Sequence, residues 1–143
     1  MKIRKCWSII LLMFAFNTFA SAQAWVMRHG LSAAEYQAEF EKWTAQGYKV
    51  TDPSSSTVNG RDLYAVIFGK IANSPEWVAR HDMSSADYQT EFEKWTGQGF
   101  RPVLVSANDS GRYAAVWEKT DKTAWQARHG LSGQQYQDEF DRL

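Results

Sequence analysis

The 143-residue sequence holds one cysteine, three prolines and three histidines, and its sixteen basic residues are matched by sixteen acidic ones. Each scarcity excludes a class of protein. Cys6 is the only thiol, so the chain closes no disulfide of its own, and beyond it there is no thiol nucleophile and no thiolate metal ligand. It also precedes the apolar run and so cannot be the modified cysteine of a lipoprotein. The absence of a basic excess speaks against a general polyanion binder, and nucleic acid is disfavoured as a partner. The one apolar run, from about Trp7 to Phe19, is broken by Asn17 and Thr18 and falls short of the roughly 20 residues that span a bilayer. No serine has a lysine three residues on, and Gly130-Leu-Ser-Gly133 falls one residue short of G-x-S-x-G. The nucleophile arrangements of two large groups of serine hydrolases are therefore missing. The expectation is a protein that is not an enzyme and needs no cofactor.

What is present at the N-terminus is a basic start, Met1-Lys-Ile-Arg-Lys5, then the apolar run, then Ala20-Ser-Ala22. That pattern predicts a signal peptide over residues 1–22, and hence export to the periplasm or beyond the cell with no stable membrane anchor after cleavage. Removing it takes away Lys2, Arg4 and Lys5 but no acid, which leaves thirteen basic against sixteen acidic residues, a net charge of −3. Without disulfides, stability must come from packing. The sequence supplies seven Trp, six Tyr and eight Phe for it. Burying one such ring removes roughly 150–250 Å² from water, about 4–6 kcal/mol before entropy is subtracted.

One stretch is written three times, starting at Trp25, Trp77 and Trp125, with spacings of 52 and 48 residues. Such periods mark arrays whose units cannot bury their apolar faces alone. Each copy opens with Trp-x-x-Arg-His, where a strand sends the ring and imidazole to one face and the guanidinium to the other. Next come a capping serine and its partner three residues later: Ser32 and Glu35, Ser84 and Asp87, Ser132 and Gln135. Then follows an apolar stripe at helical spacing: Tyr36, Phe40, Trp43; Tyr88, Phe92, Trp95; Tyr136, Phe140, Leu143. After Gly47 and Gly99, positioned to end the helices, the pattern changes to alternation. Tyr48–Thr51 and Tyr64–Phe68, and again Phe100–Val105 and Tyr113–Trp117, predict hairpins around polar loops at Ser54 to Gly60 and Ser106 to Gly111. Pro53 and Pro102 belong at strand ends or on an edge. The unit is strand-helix-strand-strand. The fold class predicted is α+β, tandem repeats forming a curved, mostly antiparallel sheet with helices packed on one face. The expected boundaries are 25–76, 77–124 and a partial third repeat over 125–143.

The motif W-x-x-R-H-G-L-S-x-x-x-Y-Q-x-E-F, with G-[YF]-[KR] and the Tyr113-Ala-Ala-Val-Trp117 segment, resembles the bacterial tandem repeat family of exported proteins. The same kind of repeat forms the N-terminal half-barrel domain of secreted polyglycine hydrolases, beside a serine hydrolase domain of the β-lactamase type. The resemblance covers nearly all of the chain after residue 22. It departs at Asp82 and Met83, which replace Gly and Leu, and at Leu143, which stands where the other copies have Trp. What the resemblance implies is an accessory, recognition-type module, with the catalytic half of such hydrolases missing from this sequence.

Three functional readings are open on these residues. The first is a module binding a protein, peptide or cell-envelope polymer through the sheet face or the hairpin loops. The second is an assembly unit, a homo-oligomer in which the incomplete third repeat pairs with another chain. The third is a fragment of a serine hydrolase. The ligand-binding candidates are Arg28, Arg80 and Arg128, near helix N-termini that favour anions; His29, His81 and His129; and Trp117, as a stacking platform. Each has a structural alternative. The arginines can pair with Glu39, Glu91 and Glu139, and the histidines can hydrogen-bond backbone where strand turns into helix. Equivalent positions in stacked units stand about 8–10 Å apart or more, so three histidines cannot share one zinc ion.

Overall fold

The computed structural model describes residues 24–119 and 124–143, and the expected leader and most of the second linker lie outside the described residues. The first repeat consists of β1 (Trp25–Leu31), α1 (Ala33–Thr44), β2 (Lys49–Val58) and β3 (Arg61–Gly69). The second repeats this order as β4 (Trp77–Met83), α2 (Ser85–Gly97), β5 (Phe100–Ala107) and β6 (Tyr113–Lys119). The third contributes α3 (Gly133–Arg142). All three helices start as the sequence requires. Ser32, Ser84 and Ser132 accept the backbone N–H of Glu35, Asp87 and Gln135, whose side chains return to the N-cap backbone.

The antiparallel strands form two three-stranded sheets, ordered β1-β3-β2 and β4-β6-β5. Pro53 and Pro102 lie on β2 and β5. These are edge strands, where one side of the backbone has no ladder to serve. The first hairpin differs from expectation in its loop. β2 continues through the serines to Val58, and the connection is only Asn59-Gly60, with φ of 50° and 73°. Both values are positive, as a two-residue type I′ turn demands. The second hairpin keeps a longer connection, in which Asn108 and Arg112 exchange bonds of 3.1 Å and 2.9 Å.

Alternation along β6 places Ala115 and Trp117 against α2, and Val116 and Glu118 on the opposite face, toward the first repeat. The second sheet is therefore covered on both sides, by its own helix and by its neighbour. One buried cluster joins Tyr36, Val50, Tyr64, Val66 and Phe68 of the first repeat to Ala79 and Val116 of the second. The other holds Met83, Tyr88, Phe100, Ala115 and Trp117. Because the first cluster straddles the joint, the first repeat does not complete its core alone. At the far ends of the joint, Lys49 is buried in an ion pair with Glu118, and Asn108 donates to Asp62 at 3.0 Å.

The third repeat departs from the expected shared interior. Tyr136, Phe140 and Leu143 are 64%, 66% and 78% exposed, whereas Tyr36 and Tyr88 are both 2% exposed. The stripe repeats the Tyr and Phe of the other copies, but among the described residues no hairpin lies against α3 to cover it. No helix among the described residues is long and apolar enough to cross a membrane.

Candidate functional site: the joints and the open ends

In both opening strands the ladder register shifts after the arginine, between Arg28 and Leu31 and between Arg80 and Met83. The extra residue sits where Gly30 and Asp82 have φ of 69° and 53°, a region that glycine enters freely and aspartate more readily than most. Up to that bulge the motif alternates. Arginine turns toward the helix of its own repeat, and Trp and His turn away from it.

The arginines meet the acids named as their alternative partners. Arg28 Nε lies 2.9 Å from Glu39, Arg80 Nε 3.2 Å from Glu91, and Arg128 Nε 3.8 Å from Glu139. Glu39 and Glu91 also accept the indole N–H of Trp43 and Trp95 at 2.7 Å and 2.6 Å. The same rings lie under the guanidinium groups of Arg28 and Arg80, at 5.4 Å and 5.6 Å. The Trp43 indole, helped by Lys42 and Arg28, holds the Glu39 carboxyl below its ordinary range against the opposing effect of burial. Burial would raise Glu91, but Trp95, Lys94 and Arg80 together outweigh it and lower that carboxyl too. Each guanidinium is thus matched inside its repeat by an ionised acid. The third copy is looser because Leu143 offers no indole.

The histidines differ from one another according to what precedes them. His81 packs its ring 4.2 Å from Tyr36 and 5.8 Å from Tyr64, and its Nε2 lies 3.2 Å from the Ala33 carbonyl, all in the first repeat. His129 lies edge-on to Tyr88 at 4.8 Å and bonds the Gln89 side chain at 2.7 Å, in the second. The tryptophans follow the same rule: Trp77 meets Phe40 at 6.1 Å, and Trp125 meets Phe92 at 6.0 Å, both edge-on. Trp and His therefore join each repeat to the helix before it. The backbone bond anticipated for the histidines is seen at His81, but to the preceding helix rather than to its own corner. His29 is exposed, and among the described residues no helix precedes it.

Trp117 is 0% exposed, stacked at 6.0 Å on Tyr88. As a stacking platform for a ligand it is corrected by this position: β6 is the central strand, and α2 covers the face from which the ring projects. The open aromatic is Trp25, 67% exposed, with Met27 at 49% beside it. Their partners across the ladder are Gly69 and Ile67. This outer face of the first sheet corresponds to the face that the second sheet buries with Trp77, Ala79, His81 and Val116. At the other end, Ala127, Leu131, Tyr136, Phe140 and Leu143 line a mostly apolar groove of about 180 Å³. Among the described residues, no group of three or more His, Cys, Asp or Glu is placed to hold a metal ion.

Sequence reasoning missed Asp82, which accepts the Tyr64 hydroxyl at 2.8 Å across the first joint. The signal was present as the one place where the middle copy breaks the R-H-G pattern.

Strand-helix-strand-strand units joined by one recurring contact define a tandem-repeat protein whose repeats are its structural units. The chain belongs to the family of polyglycine hydrolase-like structural repeats, whose model matches residues 22–71, 74–120 and 122–143. No curated protein matches the chain.

Proposed function

We propose that the chain is an exported, non-catalytic recognition module that binds another polypeptide through the outer face of its first sheet. The observation that carries this reading is the exposure of Trp25 and Met27 on a face whose counterpart in the second repeat packs against the first repeat, with Ala79 and Val116 buried and Trp77 and His81 half-buried. Large apolar side chains grouped on an open sheet face mark a protein-interaction surface more often than a solvated one. A polypeptide is favoured over a cell-envelope polymer or a charged ligand because the three motif arginines are already paired with Glu39, Glu91 and Glu139. Export rests on the N-terminal leader pattern, and absence of catalysis on the missing nucleophile motifs. The test is retention of the purified chain on envelope fractions of its host, with and without prior proteolysis of the envelope. Binding that is lost after proteolysis, and reduced by Trp25→Glu, supports the reading. Binding that survives proteolysis, or is indifferent to Trp25, overturns it.

A further inference from the structure

We propose that copies of this chain join head to tail, α3 of one copy docking on the outer face of the β1-β3-β2 sheet of the next. This rests on the binding reading above and names the partner as a second copy. The argument is continuity with the two joints inside the molecule. In both, a helix presents Tyr and Phe to the Trp and His of the following opening segment: Tyr36 and Phe40 to His81 and Trp77, Tyr88 and Phe92 to His129 and Trp125. Among the described residues, both halves of a third such joint are present and unmated. Tyr136 and Phe140 are 64% and 66% exposed at one end, and Trp25 is 67% exposed at the other, with His29 exposed beside it.

The second internal joint shows that a full sheet is not needed on both sides. Residues 124–129 belong to no ladder, yet Trp125 and His129 meet Phe92 and Tyr88, the counterparts of the rings that Trp77 and His81 meet. The intermolecular joint would be the converse case, with a complete sheet on the receiving side and a helix alone on the other. By correspondence, Trp25 meets Phe140 edge-on, and His29 stacks on Tyr136. The His29 imidazole then bonds either the Gly133 carbonyl, as His81 bonds Ala33, or the Gln137 amide, as His129 bonds Gln89. Because the two surfaces differ, the contact is heterologous and need not close, so the array extends from copy to copy.

The test is sedimentation of the protein purified after export from cells expressing the full chain. The expected result is an average mass that rises with concentration and passes beyond the dimer. Trp25→Glu and Phe140→Glu, both at exposed positions and so compatible with a native near-ultraviolet circular dichroism spectrum, should each weaken association by about tenfold or more. An equimolar mixture of the two variants should recover a dimer and stop there, since only one intact joint can form. A wild-type monomer at every concentration overturns the proposal, as does a mixture that stays monomeric. If that monomer still loses envelope-protein binding on Trp25→Glu, the head-to-tail joint is wrong while the binding reading stands.

Discussion

The Tyr64 hydroxyl donates to Asp82 at 2.8 Å, from the central strand of one repeat to the bulge of the next. Tyr64 is 1% exposed, so this phenol depends on the bond. Burial first, and the Asp82 carboxylate second, push its ionisation well above the ordinary tyrosine range. The middle copy therefore gives up the glycine that its bulge backbone would prefer and gains a cross-repeat acceptor. Tyr64→Phe should cost about 1.5 kcal/mol, the lower end of the range for a bond to a charged group, because Asp82 is partly solvated. Asp82→Gly should cost less, since relief of the positive φ offsets part of the lost bond. Urea unfolding of both variants and the double variant gives the coupling directly, and additive effects would show that the bond contributes nothing.

His81 makes the first joint sensitive to acid. Burial chiefly depresses its pKa, and the Ala33 carbonyl and Asp82 offset that only in part. A depressed histidine pKa means that the unfolded chain binds the proton at a higher pH than the folded one does. The contribution of His81 to stability is complete above about pH 6.5 and is lost as pH falls through that value toward the folded pKa. The motif-paired acids Glu39 and Glu91, also depressed, lose their contributions only further into the acid range, below the ordinary carboxylate pKa. Urea midpoints should fall between about pH 7.5 and about pH 5, and His81→Gln should flatten that slope. An unchanged slope would assign the effect to other groups.

Much of this architecture is local and was legible. The three capping serines, the Tyr-Phe-Trp stripes and the edge prolines follow from spacing alone, and the structure has each of them. The contacts of Trp77 and His81 were not legible, because a repeat motif does not reveal whether its partner lies within its own unit or in the one before. The Lys49 pair with Glu118 joins residues 69 positions apart with no local cue. The exposure of Tyr136 and Phe140 escaped for a related reason: both are spaced as in the other copies, and burial depends on what arrives to cover them.

The first hairpin shows a cue that composition obscured. Three serines suggested a loop, but Asn59-Gly60 is a two-residue turn and the serines are strand. A Cβ added at Gly60, φ 73°, would meet nothing within 4 Å. Gly60→Ala should therefore cost only the backbone penalty for the left-handed region, roughly 1–2 kcal/mol. Thermal unfolding measures it, and a neutral outcome would mean that the turn type is wrong.

The strongest contrast lies between identical residues in equivalent positions. Tyr36 and Tyr88 are each 2% exposed, with rings within 6 Å of Tyr64 and Tyr113 respectively, while Tyr136 is 64% exposed. Removing a buried ring leaves a cavity that the surroundings fill only partly. Tyr36→Ala and Tyr88→Ala should each cost about 3–5 kcal/mol. At Tyr136 the ring gives up little buried area, and Tyr136→Ala in the monomer should stay within about 0.5 kcal/mol of wild type. Denaturant unfolding at low protein concentration separates the three variants. A large loss at Tyr136 under those conditions would mean that α3 is held by the repeat body as firmly as α1 and α2. Its stripe would then be no free surface, and the end of the array would be closed rather than open.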